Sequence, residues 1–367
     1  MFKTERKEKV NLIKKAPCDF FKIWSYKKYW YKFGYKIAGR ICVNYVKWII
    51  QNVDGANCSD VIFIARDGYL LEKIFNKLTN NKYKTHYLYA PRSLNLLCQL
   101  NYEKDGDFTY EHTKTIIDYY RTKSEKIRAL PTIKSKEDGV KYINENFDEL
   151  KKLADIEYKN FAKYIKSNLK DAENIAIVDS VSKFFSAQKI IENCIDKKLL
   201  GLYYLIQEGA AIDEINVKSF SPISKYMPED LLIEFIMTSD EPPILSISGG
   251  QVMYKNISKE ENSRIKAFKE IAKGTLDFVD DLLKTNSNSD SVESSEQIAN
   301  FINSFIENPN NTDKKMFKKV LFAYDTQHSI YRPLFPQWYS SNINTIKNFI
   351  FNFDMKKLII LLRIMFE

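Results

Sequence analysis

Three observations in the sequence predict an α/β fold, a parallel sheet wound with helices. Four short apolar runs, at 61–65, 86–90, 175–178 and 200–206, each end in polar residues. Runs of this length without polar alternation suit strands buried on both faces. Three of them lead on to apolar positions at helical spacing, as Leu70, Leu71, Ile74, Phe75 and Leu78 do after the first. Strands alternating with helices call for right-handed crossovers, which bring the strand carboxyl ends to one rim. The chain's 367 residues, with only 11 Gly and 10 Pro, are ample for a packed core and lead to an expectation of two to three packing units.

Residues 1–52 read as a basic, aromatic, helical segment. Residues 1–50 hold 13 Lys/Arg and 3 Asp/Glu, so the remainder of a chain of net charge +9 sums to −1. Lys22, Lys27, Lys28, Lys32 and Lys36 are interleaved with Trp24, Tyr26, Tyr29, Trp30, Tyr31, Phe33 and Tyr35. That mixture suits an anionic membrane surface or single-stranded nucleic acid. It equally suits helices that bury their rings and leave the lysines in solvent. Nucleic acid is not the expected partner. Ile37, Ile41, Tyr45, Trp48 and Ile49 continue at helical spacing, on a stretch too charged to span a bilayer.

The α/β core is expected over 53–94 and 171–255, interrupted by a helical, cap-like insertion over 95–170 whose clearest helix is 142–169. Residues 256–367 form a helical C-terminal region. In it Ser258 and Glu261 have capping-box spacing, 286–295 reads as a linker, and 346–366 as an amphipathic terminal helix that packs on the core, lies at an interface or takes a partner. Ser248-Gly249-Gly250 is a turn, and Asp105-Gly106-Asp107 reads as an acidic turn.

Several function classes find no support in the residues. No glycine-rich dinucleotide or P-loop signature occurs. His86, His112 and His328 are not at ligand spacing, which argues against a His-based zinc site. The five scattered cysteines suggest buried or free thiols in a reducing cytoplasm. Nothing apolar follows the N-terminal charges, so no signal peptide is expected.

Chemistry concentrates where strands end. The first run closes in Ala65-Arg66-Asp67-Gly68-Tyr69-Leu70, the second in Tyr87-Leu88-Tyr89-Ala90-Pro91-Arg92, and the third in Val178-Asp179, with Gln188 on the following helix. The first of these resembles the opening motif of the haloacid-dehalogenase-like phosphotransfer fold. Together with Gly34-Tyr35-Lys36 and Gly39, the set is similar to a divergent bacterial group of that fold, associated with glycosyltransferases of surface-polysaccharide assembly. The resemblance covers roughly residues 30–250. It departs from the group's pattern at Pro91, in place of Ser, and at Val181 and Phe184, in place of glycines.

This resemblance implies a haloacid-dehalogenase-like sheet and a cytoplasmic protein of bacterial capsular or surface-polysaccharide biosynthesis, which the basic, aromatic N-terminal segment would place at the inner face of the membrane. The implied activity is that of a phosphohydrolase, phosphotransferase or glycan transferase, acting on a sugar phosphate or nucleotide-activated sugar. Asp67 stands at the acid/base position and Asp179 at the acidic metal position. Ala65 occupies the nucleophile position and has no group to form an aspartyl-phosphate. From the residue types, Asp67 and Asp179 are the expected Mg²⁺ ligands, and Arg66 and Arg92 the expected cations for phosphate oxygens. Ser93, Ser182 and Gln188 are further substrate contacts. The competing expectation pairs the arginines with the two acids and closes the rim. A docking module for a glycosyltransferase or the membrane is then the alternative function.

Overall fold

The computed structural model describes residues 25–90, 95–96, 100, 108–121, 123–210, 212, 215–221, 227–285, 293–323 and 331–339. Arg92, Ser93, the turn at 105–107 and the stretch 346–366 lie outside the described residues. So do Trp24 and most of the expected linker.

A helical entry over 25–33 and a π-turn, Gly34–Ala38, run into α1 (Gly39–Gly55). Next come β1 (Asp60–Ala65), α2 (Gly68–Thr79) and β2 (Lys84–Tyr89). The insertion supplies α3 (Tyr110–Arg121), α4 (Glu125–Arg128), α5 (Lys136–Glu145) and α6 (Phe147–Asn168). The core resumes with β3 (Ile175–Ser182), α7 (Ser186–Ile195), β4 (Leu200–Ile206) and β5 (Val217–Ser219). After α8 (Met227–Met237) come β6 (Ile244–Ser248) and β7 (Gln251–Tyr254). The remainder is α9 (Lys259–Lys284), α10 (Ser295–Glu307), α11 (Asn311–Phe317), β8 (Leu321–Ala323) and β9 (Tyr331–Pro333).

The chain is therefore α/β, with five parallel strands in the order β2-β1-β3-β4-β5. β5 was not legible in the sequence, because three residues are too short to show a period. The two sheet faces divide the apolar residues by alternation. Val61, Phe63, Ala176 and Val178 face α1, α2, α8 and α9. Ile62, Ile64, Ile175 and Ile177 face α6 and α7. Since β2 and β3 leave β1 in opposite directions, the strand order reverses between β1 and β3. Open α/β sheets bind ligands outside the strand carboxyl ends at such a point.

The insertion has a core of its own, from Leu96 and Leu100 through Ile116, Ile117 and Tyr120 to Leu150 and Ala154. α6 belongs to both units: its first half packs in that core and Phe161 and Ile165 pack on the sheet. The single helix expected at 142–169 is broken at Asn146, whose backbone turns out of the helical region.

The basic, aromatic segment packs inward. Trp30 and Phe33 are buried against Phe235, Phe305 and Phe317. Tyr29, Tyr31 and Tyr35 donate to Asp313, Asp277 and Asp281 at 2.8, 2.9 and 3.1 Å. Lys27, Lys28, Lys32 and Lys36 are exposed. Of the readings of this segment, the packing one describes residues 25–36. Among the described residues no helix is long and apolar enough to cross a membrane. Cys42, Cys58 and Cys194 are buried free thiols, and burial pushes Cys42 up to about 12 and Cys194 up to about 11, which suppresses their thiolates.

The glycines of the Gly34 motif have a packing role. A Cβ on Gly34 would lie 2.2 Å from the Ile271 carbonyl oxygen of α9, and one on Gly39 would lie 2.7 Å from the Phe278 ring. Gly249 and Gly250 both have positive φ, +59° and +81°, and close the β6–β7 hairpin.

One buried acid sets a pH dependence. Glu229, at the start of α8, is 5 % exposed, and burial, then the neighbouring Asp230, push its carboxyl up to about 7. Between its ordinary value and pH 7 the folded chain holds a proton that the unfolded chain has released. Stability therefore falls as pH rises through that window and is level above it. Glu229→Gln is expected to stabilise the protein at pH 8 by about 2–3 kcal/mol and to change little at pH 4. Urea melts of both proteins at the two pH values check this.

Candidate functional site

The site is built where β1 ends. After Ala65 the backbone turns so tightly into α2 that a Cβ on Gly68 would lie 2.7 Å from Phe63 Cβ and 2.8 Å from its carbonyl carbon. Hence the glycine of A-R-D-G. The turn leaves Asp67 as N-cap of α2, with no side-chain capping bond, so its carboxylate is directed elsewhere. Thr238 Oγ1, just past α8, donates to Asp67 Oδ1 at 2.7 Å, and Ser180 Oγ on β3 donates to Asp67 Oδ2.

Ser180 also gives its backbone N–H to Asp179 Oδ1 at 2.9 Å. One residue thus bridges the two acids, hydroxyl to Asp67 and amide to Asp179. Both Asp67 and Asp179 are half-buried. From the other side Tyr45 Oη lies 2.8 Å from the carbonyl oxygens of both Asp179 and Leu202, where the β3–β4 ladder skips Ser180. A fully buried phenol therefore holds the backbone of Asp179 in place.

Arg66 has an intramolecular partner. Its Nη1 lies 2.8 Å from Glu261 Oε1 and 3.3 Å from the Glu241 carbonyl oxygen. The same Glu261 oxygen accepts from Arg264 Nε and Nη2 at 3.0 and 2.8 Å. Arg264 is 1 % exposed and donates also to the Thr238 and Ser239 carbonyls at 2.6 and 2.7 Å. Burial lowers its pKa, and Glu261 and Asp67 oppose that shift. Two guanidiniums thus share the Glu261 carboxylate beneath the rim. The arginine expected to meet phosphate is tied to α9 through Glu261. For the same reason the capping box is only half formed: Ser258 accepts from the Glu261 amide, while the Glu261 carboxylate serves the arginines.

A loop covers the neighbouring strand end. Ser239 N–H donates to the Arg66 carbonyl at 3.2 Å. Glu241 then accepts from the Tyr87 and Tyr89 hydroxyls at 2.5 and 2.7 Å, and Tyr254 on β7 donates to Tyr89 at 2.9 Å. Burial pushes up both Tyr87 and Tyr89, and their bonds to Glu241 add to it, so the phenols stay protonated donors.

One further expectation is corrected. Gln188 is fully buried and bonds to Glu192, the Leu199 and Asn216 carbonyls and Tyr203 Oη, so no part of it reaches a ligand. Ser182 Oγ accepts the Phe185 N–H at 3.0 Å and holds the β3–α7 turn. Sequence reading missed Ser180, Thr238, Glu241, Glu261 and Arg264 as parts of the site. Ser180 adjoins Asp179 and could have been included on position alone; the others carry no local signal.

The carboxylate and hydroxyl oxygens here are hard donors, and among the described residues no group of three or more His, Cys, Asp or Glu could hold a metal ion by itself. Mg²⁺ commonly keeps waters and takes one or two carboxylates plus substrate phosphate. Asp67 and Asp179 would supply those carboxylates, since each hydrogen-bonded oxygen retains a second lone pair. Compared with known proteins, the chain matches no family model and no curated protein.

Proposed function

We propose that this chain handles a sugar phosphate or nucleotide-activated sugar with Mg²⁺ at the β1–β3 strand ends, in bacterial surface-polysaccharide biosynthesis on a haloacid-dehalogenase-like sheet. The observation that carries the reading is the bridge at Ser180, which holds Asp67 and Asp179 together at the point where strand order reverses. The pathway rests on the motif resemblance. Ala65 puts no nucleophile at the motif's first position, so transfer goes directly to water or a hydroxyl acceptor. Asp67, fixed by Ser180 and Thr238, is oriented to take the acceptor's proton or to hold the metal. Bound Mg²⁺ would neutralise phosphate oxygens and acidify a bound water.

One observation favours a second reading, a non-catalytic docking module for a glycosyltransferase or the inner membrane surface. Arg66 is neutralised within the chain, and the loop carrying Ser239 and Glu241 sits on its carbonyl. Calorimetric titration with Mg²⁺ separates the two. The catalytic reading expects a binding heat in the wild type that Asp67→Asn abolishes without lowering the melting temperature. A wild type that gives no heat leaves the docking role.

A further inference from the structure

The lysines of the entry helix do not stand alone. Rings on the inner side of that helix draw α11 against it. Tyr29 Oη donates to Asp313 Oδ1 at 2.8 Å, across 284 positions of sequence, and the Trp30 and Phe33 rings meet Phe317 with centroids 4.9 and 5.5 Å apart. α11 and the residues just after it carry Lys314-Lys315 and Lys318-Lys319. The sum of −1 over the chain after residue 50 conceals this cluster. Packing sets it beside Lys27, Lys28, Lys32 and Lys36.

Little on this surface offsets the charge. Lys28, Lys32, Lys36, Lys315, Lys318 and Lys319 are exposed. Lys27 has Glu270 at 3.7 Å, whereas Lys32, Lys36, Lys314, Lys315 and Lys319 make no ion pair among the described residues. Asp313, the acid between the two helices, is buried and accepts from the Tyr29 hydroxyl and the Asn310 amide. Asp277 and Asp281 lie on the α9 flank, where they take the Tyr31 and Tyr35 hydroxyls.

The chemistry of the face selects its partner. Single-stranded nucleic acid is held by rings on which bases stack, and here Trp30 and Phe33 are buried. The fork of Arg40 is closed on Glu293, so it is not offered to phosphate. A layer of lipid headgroups asks only for point charges spread over a surface, which lysines supply.

We propose that the lysine face of the entry helix and α11 docks on an anionic phospholipid surface, held by charge alone. The inference rests on the membrane half of the docking reading above and names its surface; it does not depend on Mg²⁺ at the acidic pair. With the rings withdrawn into the core nothing on this face inserts, so salt governs the contact. Screening shortens the reach of each charge from about 8 Å at physiological ionic strength to about 3 Å at 1 M.

The test is co-sedimentation of the full chain with vesicles of phosphatidylcholine alone and of phosphatidylcholine with about 30 % phosphatidylglycerol. The wild type is expected to favour the anionic vesicles by about tenfold or more and to leave them in about 0.5 M NaCl. Lys315→Gln combined with Lys319→Gln is the deciding variant, because its charges lie far in sequence from the basic N-terminus. It should weaken binding to anionic vesicles by about tenfold or more, as should Lys32→Gln combined with Lys36→Gln. All four side chains are exposed, so thermal melts should match the wild type. Mg²⁺ titration should match as well, since the acidic pair is untouched. Equal binding to both vesicles, binding that survives the salt, or an unaltered Lys315→Gln, Lys319→Gln variant overturns the lipid face and leaves both the catalytic reading and docking to a protein standing. A chain that ignores vesicles and shifts a single-stranded oligonucleotide overturns it in favour of nucleic acid.

Discussion

Replacing Glu261 by Ala is expected to cost about 3–5 kcal/mol of folding stability, the range for breaking a buried ion pair by removing one partner. Glu261 is 1 % exposed and pairs with Arg66 and Arg264 together. Its loss leaves Arg264, itself 1 % exposed, with two backbone carbonyls and, among the described residues, Asp67 as the remaining anion acting on it. Asp67 would be drawn towards that charge and away from Ser180 and Thr238, so Mg²⁺ binding should weaken along with stability. Urea unfolding measures the first effect and calorimetry the second. A loss below about 1 kcal/mol would place the arginines in water and contradict the cluster. The conservative Glu261→Gln keeps the hydrogen-bond acceptor and removes the charge, so it should fall between Ala and wild type.

Gly274→Ala is expected to destabilise by about 1–3 kcal/mol or more, because the added methyl meets backbone rather than a side chain that can swing away. Its Cβ would lie 2.1 Å from the Tyr31 carbonyl oxygen and 2.8 Å from the Tyr35 amide. The reciprocal contact at Gly34 and the bond from Thr275 Oγ1 to the Gly34 carbonyl at 3.1 Å show that the two helices touch along their backbones. Separating them would loosen Trp30 and Phe33 from Phe235 and Phe317. Gly55→Ala is the control: a Cβ there has no neighbour within 4 Å, and propensity favours Ala in a helix. Thermal melts of the pair should move in opposite directions.

Part of the candidate site was legible because its causes are local. A buried apolar run that breaks at Arg66-Asp67-Gly68 and resumes at helical spacing places Asp67 at a strand end. The same reasoning places Asp179 on another strand. What each side chain does there depends on residues distant in sequence. Ser180, Thr238 and Glu261 lie 113, 171 and 195 positions from their partners at Asp67 and Arg66. Gln188 was expected at the site from the motif resemblance, yet its amide satisfies Glu192 and two buried carbonyls.

The sequence by itself determined the α/β class, the four longer parallel strands and the break after β1 that carries Asp67, whereas Asp179 falls inside β3, three residues before its end. Backbone periodicity and turn chemistry act over a few residues and can be read in one dimension. Only the tertiary structure decided that Arg66 serves Glu261, that Trp30 and Phe33 face the core, and that Ser180 joins the two acids. A buried charge or hydrogen-bond donor must find a partner wherever the packed chain provides one. That choice is made by proximity in space, to which spacing along the chain is no guide.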